Sequence, residues 1–259
     1  MTSMLVVGLA VSSAVAQTRQ TARRPAGQVQ PASAEQLFAM ANEARAQAGV
    51  GKLHWDQALA AAALKHCLRM AAEGPISHRY DGEPDLAARA GQAGAHFGLI
   101  EENIATGAFP AMINQEWLNS PGHRANMLNH DVDHVGVAVV ASQGVLYAVA
   151  DYSRGVPLLS PTQVENTVAA LMRVSGVAIR KDTRDARAAC MTDRGVPGGL
   201  IDGQPQFVMR WEDSDLSRLP PDLVNRLASG RYRLAAVGTC PARNVQGAFT
   251  VYRVAALLY

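Results

Sequence analysis

Apolar residues recur at helical spacing through much of the first half of the chain. A helix is predicted over residues 33–48, with Ser33 and Gln36 as a candidate capping box. The apolar residues on one face of this helix are Leu37, Met40, Ala41, Ala44 and Ala48. Similar patterns predict helices over 56–73, 85–95 and 110–119. Two runs rich in Val and Ala, 134–141 and 145–152, predict strands joined by a hairpin turn. This order predicts a layer of helices against a short sheet.

The pattern breaks at residues 155–163, where Pro157 and Pro161 interrupt it, and this segment is the predicted linker between two domains. Beyond it the sequence predicts a helix over 164–174, a short helix after Pro221, and strands over 206–211, 231–238 and 249–258. Residues 164–259 are therefore expected to form a small, β-rich α+β domain of unknown type.

The first residues resemble an export signal. An apolar stretch from Met4 ends in the small-x-small string Ala14-Val15-Ala16, which predicts a signal peptide over 1–16. No basic residue precedes it, and a buried strand or helix is the alternative. The polar segment 17–32 is typical of a flexible tether. We expect a secreted or periplasmic protein that is not integral to the membrane after signal removal, because the apolar run is too short to span a bilayer.

The bulk composition excludes some function classes. Hydrophobic residues make up 48% of the chain and charged residues 18%, and the net charge is +2. This composition favours compact folding. The basic residues are scattered among acidic ones, so no nucleic-acid partner is expected. The sequence contains none of the H-E-x-x-H, C-x-x-C, P-loop or G-x-G-x-x-G strings.

The three cysteines fit an exported protein unevenly. Cys190 and Cys240 are candidates for a disulfide in an oxidising compartment. Cys67 lies in a predicted helix among apolar residues and is expected in the core.

Several local strings together resemble one family. They are Asn42-Glu43-Ala44-Arg45, Leu53-His54-Trp55-Asp56, Ser77-His78, Glu102-Asn103-Ile104-Ala105, and Trp117-Leu118-Asn119-Ser120-Pro121-Gly122-His123-Arg124. Residues 33–153 resemble the CAP superfamily of cysteine-rich secretory, antigen 5 and pathogenesis-related proteins. The resemblance implies an α-β-α sandwich over 33–154, so the fold class expected for the whole chain is α+β.

The resemblance also implies that His78, Glu102 and His123 converge in a surface cleft, with Ser120 beside them. Two imidazoles can bind zinc or another divalent metal, with a carboxylate as ligand or orienting group, so His78 and His123 are the candidate metal ligands. Many family members carry a second Glu where this chain has Ser120. Glu116 is expected to point elsewhere.

Each of these residues also has a structural alternative, such as a loop hydrogen bond for His78 or a helix cap for Ser120. Ser120 as a nucleophile is the less favoured interpretation, because an N-cap hydroxyl accepting the His123 N–H explains the string. The run from His130 to His134 is expected to be a solvated turn. His54 and His66 are expected at the surface or its boundary.

These residues lead to three hypotheses about function. The first is an exported module that binds a lipid, glycan, peptide or protein in the His/Glu cleft. The second is a metal-assisted, peptidase-like hydrolase in which His78 and His123 hold the ion and Glu102 is the base. A third hypothesis places all specificity after Ser160.

Overall fold

The computed structural model describes residues 27–195, 198–201, 203–242 and 249–259. The predicted signal peptide and most of the predicted tether lie outside these residues. The helices are α1 Pro31–Gln47, α2 Gln57–Glu73, α3 Leu86–Gln92, α4 Pro110–Asn119, α5 Pro121–Leu128, α6 Pro161–Val174, α7 Arg184–Met191 and α8 Pro221–Ala228. The strands are β1 Gln28–Val29, β2 His54–Trp55, β3 Phe97–Gly107, β4 His134–Ser142, β5 Val145–Gly155, β6 Ala178–Ile179, β7 Phe207–Asp213, β8 Leu234–Cys240 and β9 Tyr252–Leu258.

The first half is built on a five-stranded sheet in the order β1-β4-β5-β3, with β2 pairing in parallel to β4. The hairpin β4–β5 is antiparallel and continuous from His134↔Ser153 to Ser142↔Val145. Strand β3 pairs with β5 and places Glu102 opposite Asp151. The strand that carries the candidate carboxylate therefore lies at one side of the sheet.

Helices cover both faces of this sheet, as the expected α-β-α sandwich requires. Helices α1, α4 and α5 bury Leu37, Trp117 and Met127 against one face. Helix α2 buries Cys67 and Met70 against the other face, next to α3. Helix α2 lies so close that a side chain at Gly136 would collide with the backbone at Leu59 and Ala60, so this strand position needs glycine.

The second half has its own four-stranded sheet in the order β6-β8-β9-β7. Helices α6 and α8 pack on one face through residues such as Val168, Met172 and Leu223. Helix α7 packs on the other face through Ala186 and Ala189. The chain is thus α+β, with a sheet-rich C-terminal domain after the first sandwich.

The two halves meet at the start of β3. The rings of Phe97 and Phe249 contact edge to face with centroids 5.1 Å apart, and the Thr250 N–H donates to the Phe97 carbonyl oxygen at 2.9 Å. Gly98 lies so close to Ser214 that a side chain there would collide with its hydroxyl. Arg154 also donates to the Ser214 hydroxyl at 2.9 Å.

Some sequence expectations were wrong in detail. Helix α1 begins at Pro31 after Gln30, which makes no side-chain cap, so Ser33 and Gln36 lie inside the helix and form no capping box there. Proline at the first helical position explains the earlier start, since it lacks the N–H that a cap would satisfy. In contrast, the predicted cap Asp56 accepts from the N–H groups of Ala58 and Leu59. None of the helices in the described part of the chain is long and apolar enough to cross a bilayer.

Candidate functional site

Glu102 is a buried carboxylate with both oxygens engaged. Its side chain is 3% exposed. One oxygen lies 2.8 Å from Nδ1 of His78, and the other accepts a hydrogen bond from the Arg89 guanidinium. Such charge-assisted contacts stabilise the ionised carboxylate. Glu102 therefore acts here as an orienting group for His78 and as the partner of a buried cation.

His78 presents its ring to solvent while one nitrogen is held. Its side chain is 60% exposed, and the contact with Glu102 directs Nδ1 inward. The hydrogen bond to Glu102 raises the pKa of His78 above its usual range, against opposing contributions from burial and Arg89. The other nitrogen, Nε2, is left to meet a ligand as a donor when the ring is protonated and as an acceptor when it is neutral.

The loop that carries His78 is anchored from beneath. Nε2 of His66 donates to the Ser77 carbonyl oxygen at 3.0 Å, and its Nδ1 lies 2.8 Å from a Glu83 oxygen. Arg89 donates to the His78 carbonyl oxygen at 3.1 Å. His66 is fully buried, so its expected position at the surface or boundary was wrong. Acceptors on both sides explain how a polar ring is tolerated there.

His123 lies in the first turn of α5, which is tied to β3. The Asn103 side-chain amide donates to the His123 carbonyl oxygen at 2.8 Å. The Asn126 amide donates to the Asn103 side-chain oxygen at 3.0 Å and lies 3.2 Å from the Glu102 carbonyl oxygen. These bonds fix the start of α5 beside the strand position of Glu102.

Burial and two charged neighbours set the pKa of His123. Burial lowers the pKa of His123, the charge of Glu116 opposes that, and the charge of His78 adds to the lowering. Nδ1 of His123 is buried and has no hydrogen-bond partner among the described residues. The ring therefore has unmet hydrogen-bonding capacity. Glu116 acts on His123 through its charge.

Ser120 joins α4 to α5 and precedes Pro121, as expected for an N-cap position. Its hydroxyl, however, makes no cap bond to α5, and the turn is closed by the Ser120 carbonyl oxygen, which accepts from Arg124 N–H at 2.8 Å. The expected hydroxyl bond to the His123 N–H is therefore wrong. No hydrogen bond joins this hydroxyl to a base in the part of the chain that the structure describes, and a nucleophilic role gains no support.

The residues present do not fit a metal centre with three or four ligands. Among the described residues, no group of three or more His, Cys, Asp or Glu side chains is arranged to hold a metal ion. Glu102 is committed to Arg89 and His78, and Ser120 stands where a second carboxylate would be needed. Two imidazoles alone fall short of the three protein ligands of a catalytic zinc site.

Other residues singled out in the sequence lie elsewhere. Cys190 and Cys240 form a disulfide in the second half, with Cα atoms 5.8 Å apart. Cys67 is buried in the first core, as expected. His54 and His134 are neighbours where β2 meets β4, with ring centroids 5.7 Å apart, and His134 contacts Asp133 at 2.6 Å.

The comparison with protein families assigns the first half. The profile of the cysteine-rich secretory protein family, CAP, matches residues 38–152. These residues are a CAP domain. The match includes His78, Glu102, Ser120 and His123.

Three similar proteins match this chain over part of its length and part of their own. An uncharacterized membrane protein, YlbC, of Bacillus subtilis (strain 168) is 35% identical over 113 residues, which are 43% of this chain and 32% of that protein. An extracellular protein containing an SCP domain from Bacillus anthracis is 29% identical with a TM-score of 0.46, over 48% of this chain and 41% of that one. A cysteine-rich secretory protein from Staphylococcus aureus is 20% identical with a TM-score of 0.40, over 53% and 42%. The chain thus spans about a third of the curated relative.

Three polar residues that organise the CAP domain were not predicted as site residues. Arg89 pairs with Glu102, and His66 anchors the His78 loop. Arg45 donates to one backbone carbonyl in the loop after α1 and to three between the end of α5 and the start of β4. Arg89 is the one charged residue of α3, and Arg45 closes the first family string. For Arg89, the available signal was a single charge in an otherwise uncharged helix. A charged side chain is buried only when it is paired, so this pattern indicates a buried partner.

Proposed function

We propose that this protein is an exported binding module whose CAP domain holds a ligand between His78 and His123. The observation that carries the proposal is the commitment of Glu102. Its two oxygens hold His78 and Arg89, so His78 is positioned while most of its ring remains exposed. A fixed, partly exposed imidazole suits a ligand that carries polar groups.

Export is supported by two independent features. The Cys190–Cys240 disulfide suits an oxidising compartment. The apolar segment 4–16, which lies outside the described residues, has the sequence of a signal peptide. We infer that the binding site operates in the periplasm or outside the cell.

The hydrolase alternative is less well supported by the same geometry. A general base needs a lone pair within reach of substrate, whereas Glu102 is 3% exposed and accepts from two partners. Within the described residues, no neighbouring base forms a hydrogen bond with the Ser120 hydroxyl, so a role of Ser120 as a nucleophile is not supported. Binding therefore requires fewer changes to the observed contacts than catalysis does.

The test compares ligand classes on the full-length protein. Lipid, glycan and peptide arrays are probed with wild type, with the double variant His78→Ala/His123→Ala, and with His54→Ala/His130→Ala as the matched control at exposed histidines. We expect one ligand class to bind wild type and the control, and the site variant to lose at least tenfold in affinity, about 1.4 kcal/mol. Equal binding by both double variants would overturn the proposal.

A further inference from the structure

A groove of about 900 Å³ runs between β7 and α8 in the C-terminal domain, outside the candidate site of the CAP domain. Its walls include four consecutive residues of β7, Phe207 to Arg210, together with Asn225 of α8 and Ser229, which follows that helix. Successive strand residues point to opposite faces of a sheet. A groove that contacts four in a row therefore follows the edge of the strand and not one face.

Strand β7 is the last strand of its sheet. In the described residues it pairs with β9 through a continuous register from Phe207↔Leu258 to Asp213↔Tyr252, and its other side has no strand partner. An edge strand of this kind presents backbone donors and acceptors to any extended chain beside it. The groove thus supplies both space and main-chain hydrogen-bonding groups for an added strand.

The charge of the groove selects among extended chains. Arg194, Arg210, Arg226 and Arg231 line it, against Asp193 and Asp222. Arg210 donates to the Ala189 and Gly195 carbonyl oxygens, so it helps to form the wall of the groove. The two arginines at the α8 end have no carboxylate partner among the described residues.

Those two arginines are held in place by other contacts. The Arg226 guanidinium stacks 3.9 Å from the Phe207 ring centroid. Nε of Arg231 donates to the Gln206 side chain at 3.2 Å. Their remaining N–H groups are thereby oriented without being neutralised, an arrangement suited to bidentate binding of carboxylates.

We propose that the β7–α8 groove binds an extended acidic peptide segment of a partner protein, which adds a strand to the free edge of β7 and pairs its carboxylates with Arg226 and Arg231. Main-chain bonds to the edge supply affinity, and the arginines supply the preference for acidic side chains. This site is independent of the proposed function of the CAP cleft.

The test measures fluorescence anisotropy of a labelled eight-residue peptide of alternating Glu and Val with the full-length protein. We expect saturable binding, and at least a tenfold loss of affinity with Arg226→Glu/Arg231→Glu, since charge reversal replaces attraction by repulsion. Arg173→Glu, at an exposed arginine at the end of α6, is the matched control and should bind as wild type does. Thermal unfolding of each variant checks that the domain is intact.

Two further probes separate strand addition from simple charge attraction. An alternating Lys and Val peptide should not bind, and two acidic peptides with N-methyl groups at odd or at even positions should differ, because only one edge of an added strand faces β7. Equal binding of both methylated peptides would overturn the proposal. Complete displacement of the acidic peptide by heparin, added at the same total negative charge, would overturn it too. Absence of binding up to about 1 mM peptide would overturn it as well.

Discussion

The pair formed by Glu102 and His78 sets the protonation of the candidate site. The hydrogen bond from Glu102 raises the pKa of His78, whereas burial lowers that of His123. The two rings therefore differ in charge over an interval of pH around neutrality, and this difference limits repulsion between neighbouring imidazoles.

Nuclear magnetic resonance titration of the two rings tests this difference. Glu102→Gln should lower the pKa of His78, because the neutral amide no longer stabilises the imidazolium. In the matched variant Glu116→Gln, the pKa of His123 should fall and that of His78 should stay unchanged. The reverse pattern would show that the two carboxylates are assigned to the wrong rings.

The sign of the pH dependence follows from the raised pKa of His78. A group whose pKa is higher in the folded state stabilises the fold below its unfolded pKa, about 6.5, and loses that contribution as pH rises through the folded value. The His78–Glu102 contact should therefore stabilise the CAP domain in mildly acidic solution. The contribution is small because the ring is mostly exposed.

Asp151 is a fully buried carboxyl group beside Glu102. Neither of its oxygens has a hydrogen-bond partner among the described residues, and burial, followed by the charge of Glu102, raises its pKa well above 3.8. The contribution of Asp151 to the free energy of unfolding is therefore most favourable below pH about 4, and it declines as the pH rises toward the pKa of the folded state.

We expect Asp151→Asn to raise the free energy of unfolding at pH 7 by about 1 kcal/mol, since an amide removes the cost of ionisation in a buried site. Urea unfolding at pH 4 and pH 7 measures it. The gain should shrink at pH 4, where the wild-type carboxyl carries its proton. A gain that is equal at both pH values would contradict the ionisation argument.

At the scale of elements, Arg45 joins three segments. From α1 its guanidinium donates to the carbonyl oxygens of Gly51, Met127, Asn129 and Val132. The turn that leads from α5 into β4 depends on these bonds, because its own backbone supplies few partners for those oxygens.

Arg45→Met should lower the free energy of unfolding by about 3 kcal/mol, because it leaves buried carbonyls unsatisfied. Arg124→Met, at an exposed arginine of α5, should change it by less than about 0.5 kcal/mol. Urea unfolding of both variants makes the comparison. Similar losses in the two would refute the role of the four bonds.

The disulfide joins α7 to the end of β8 across 50 residues of chain. Cys190→Ser/Cys240→Ser should destabilise the C-terminal domain by about 4 kcal/mol on the chain-entropy account. Native-state hydrogen exchange measures it: protection of β8 and β9 should fall, whereas that of β4 and β5 should hold. A uniform loss over both domains would mean that they unfold as one unit.

Most helices and strands could be predicted from local sequence patterns, and the elements that were missed lack such a pattern. Asp56 and the hairpin 142–144 carry short-range signals, and α2, β4 and β5 appear close to their predicted bounds. Strand β3 was not predicted, because Glu101, Glu102 and Asn103 hide its alternation. Helix α7 was missed as well, since its apolar positions are alanines and a cysteine.

The candidate site divides in the same way. The family strings identify His78, Glu102 and His123 together as candidate site residues. Their buried partners Arg89 and His66 lie in helices whose composition predicts only whether a residue is buried or exposed. Their role depends on contacts between residues 11 and 13 positions apart in sequence, folded through a loop. No local periodicity encodes such pairings.

At the scale of the whole molecule, the two domains contact each other at Phe97, Gly98 and Arg154 on one side and at Ser214, Phe249 and Thr250 on the other. Domains within one chain move relative to each other unless their interface is large and hydrophobic. Gly98 is a point of close approach, since a side chain there would collide with Ser214.

Gly98→Val should therefore separate the domains and increase the radius of gyration measured by small-angle X-ray scattering. In Gly51→Val, where a Cβ would meet no atom within 4 Å, the radius should be unchanged. An unchanged radius in both variants would mean that the contact yields locally and does not set the arrangement of the domains.

The burial of Cys67 has a consequence for how the chain matures. Three thiols allow three pairings, and burial raises the pKa of the Cys67 thiol to about 12, which leaves almost no thiolate to attack another sulfur. Once the N-terminal domain has folded around this residue, oxidation can join only the remaining two cysteines. Burial of this thiol thereby protects the folded chain against scrambled disulfide isomers.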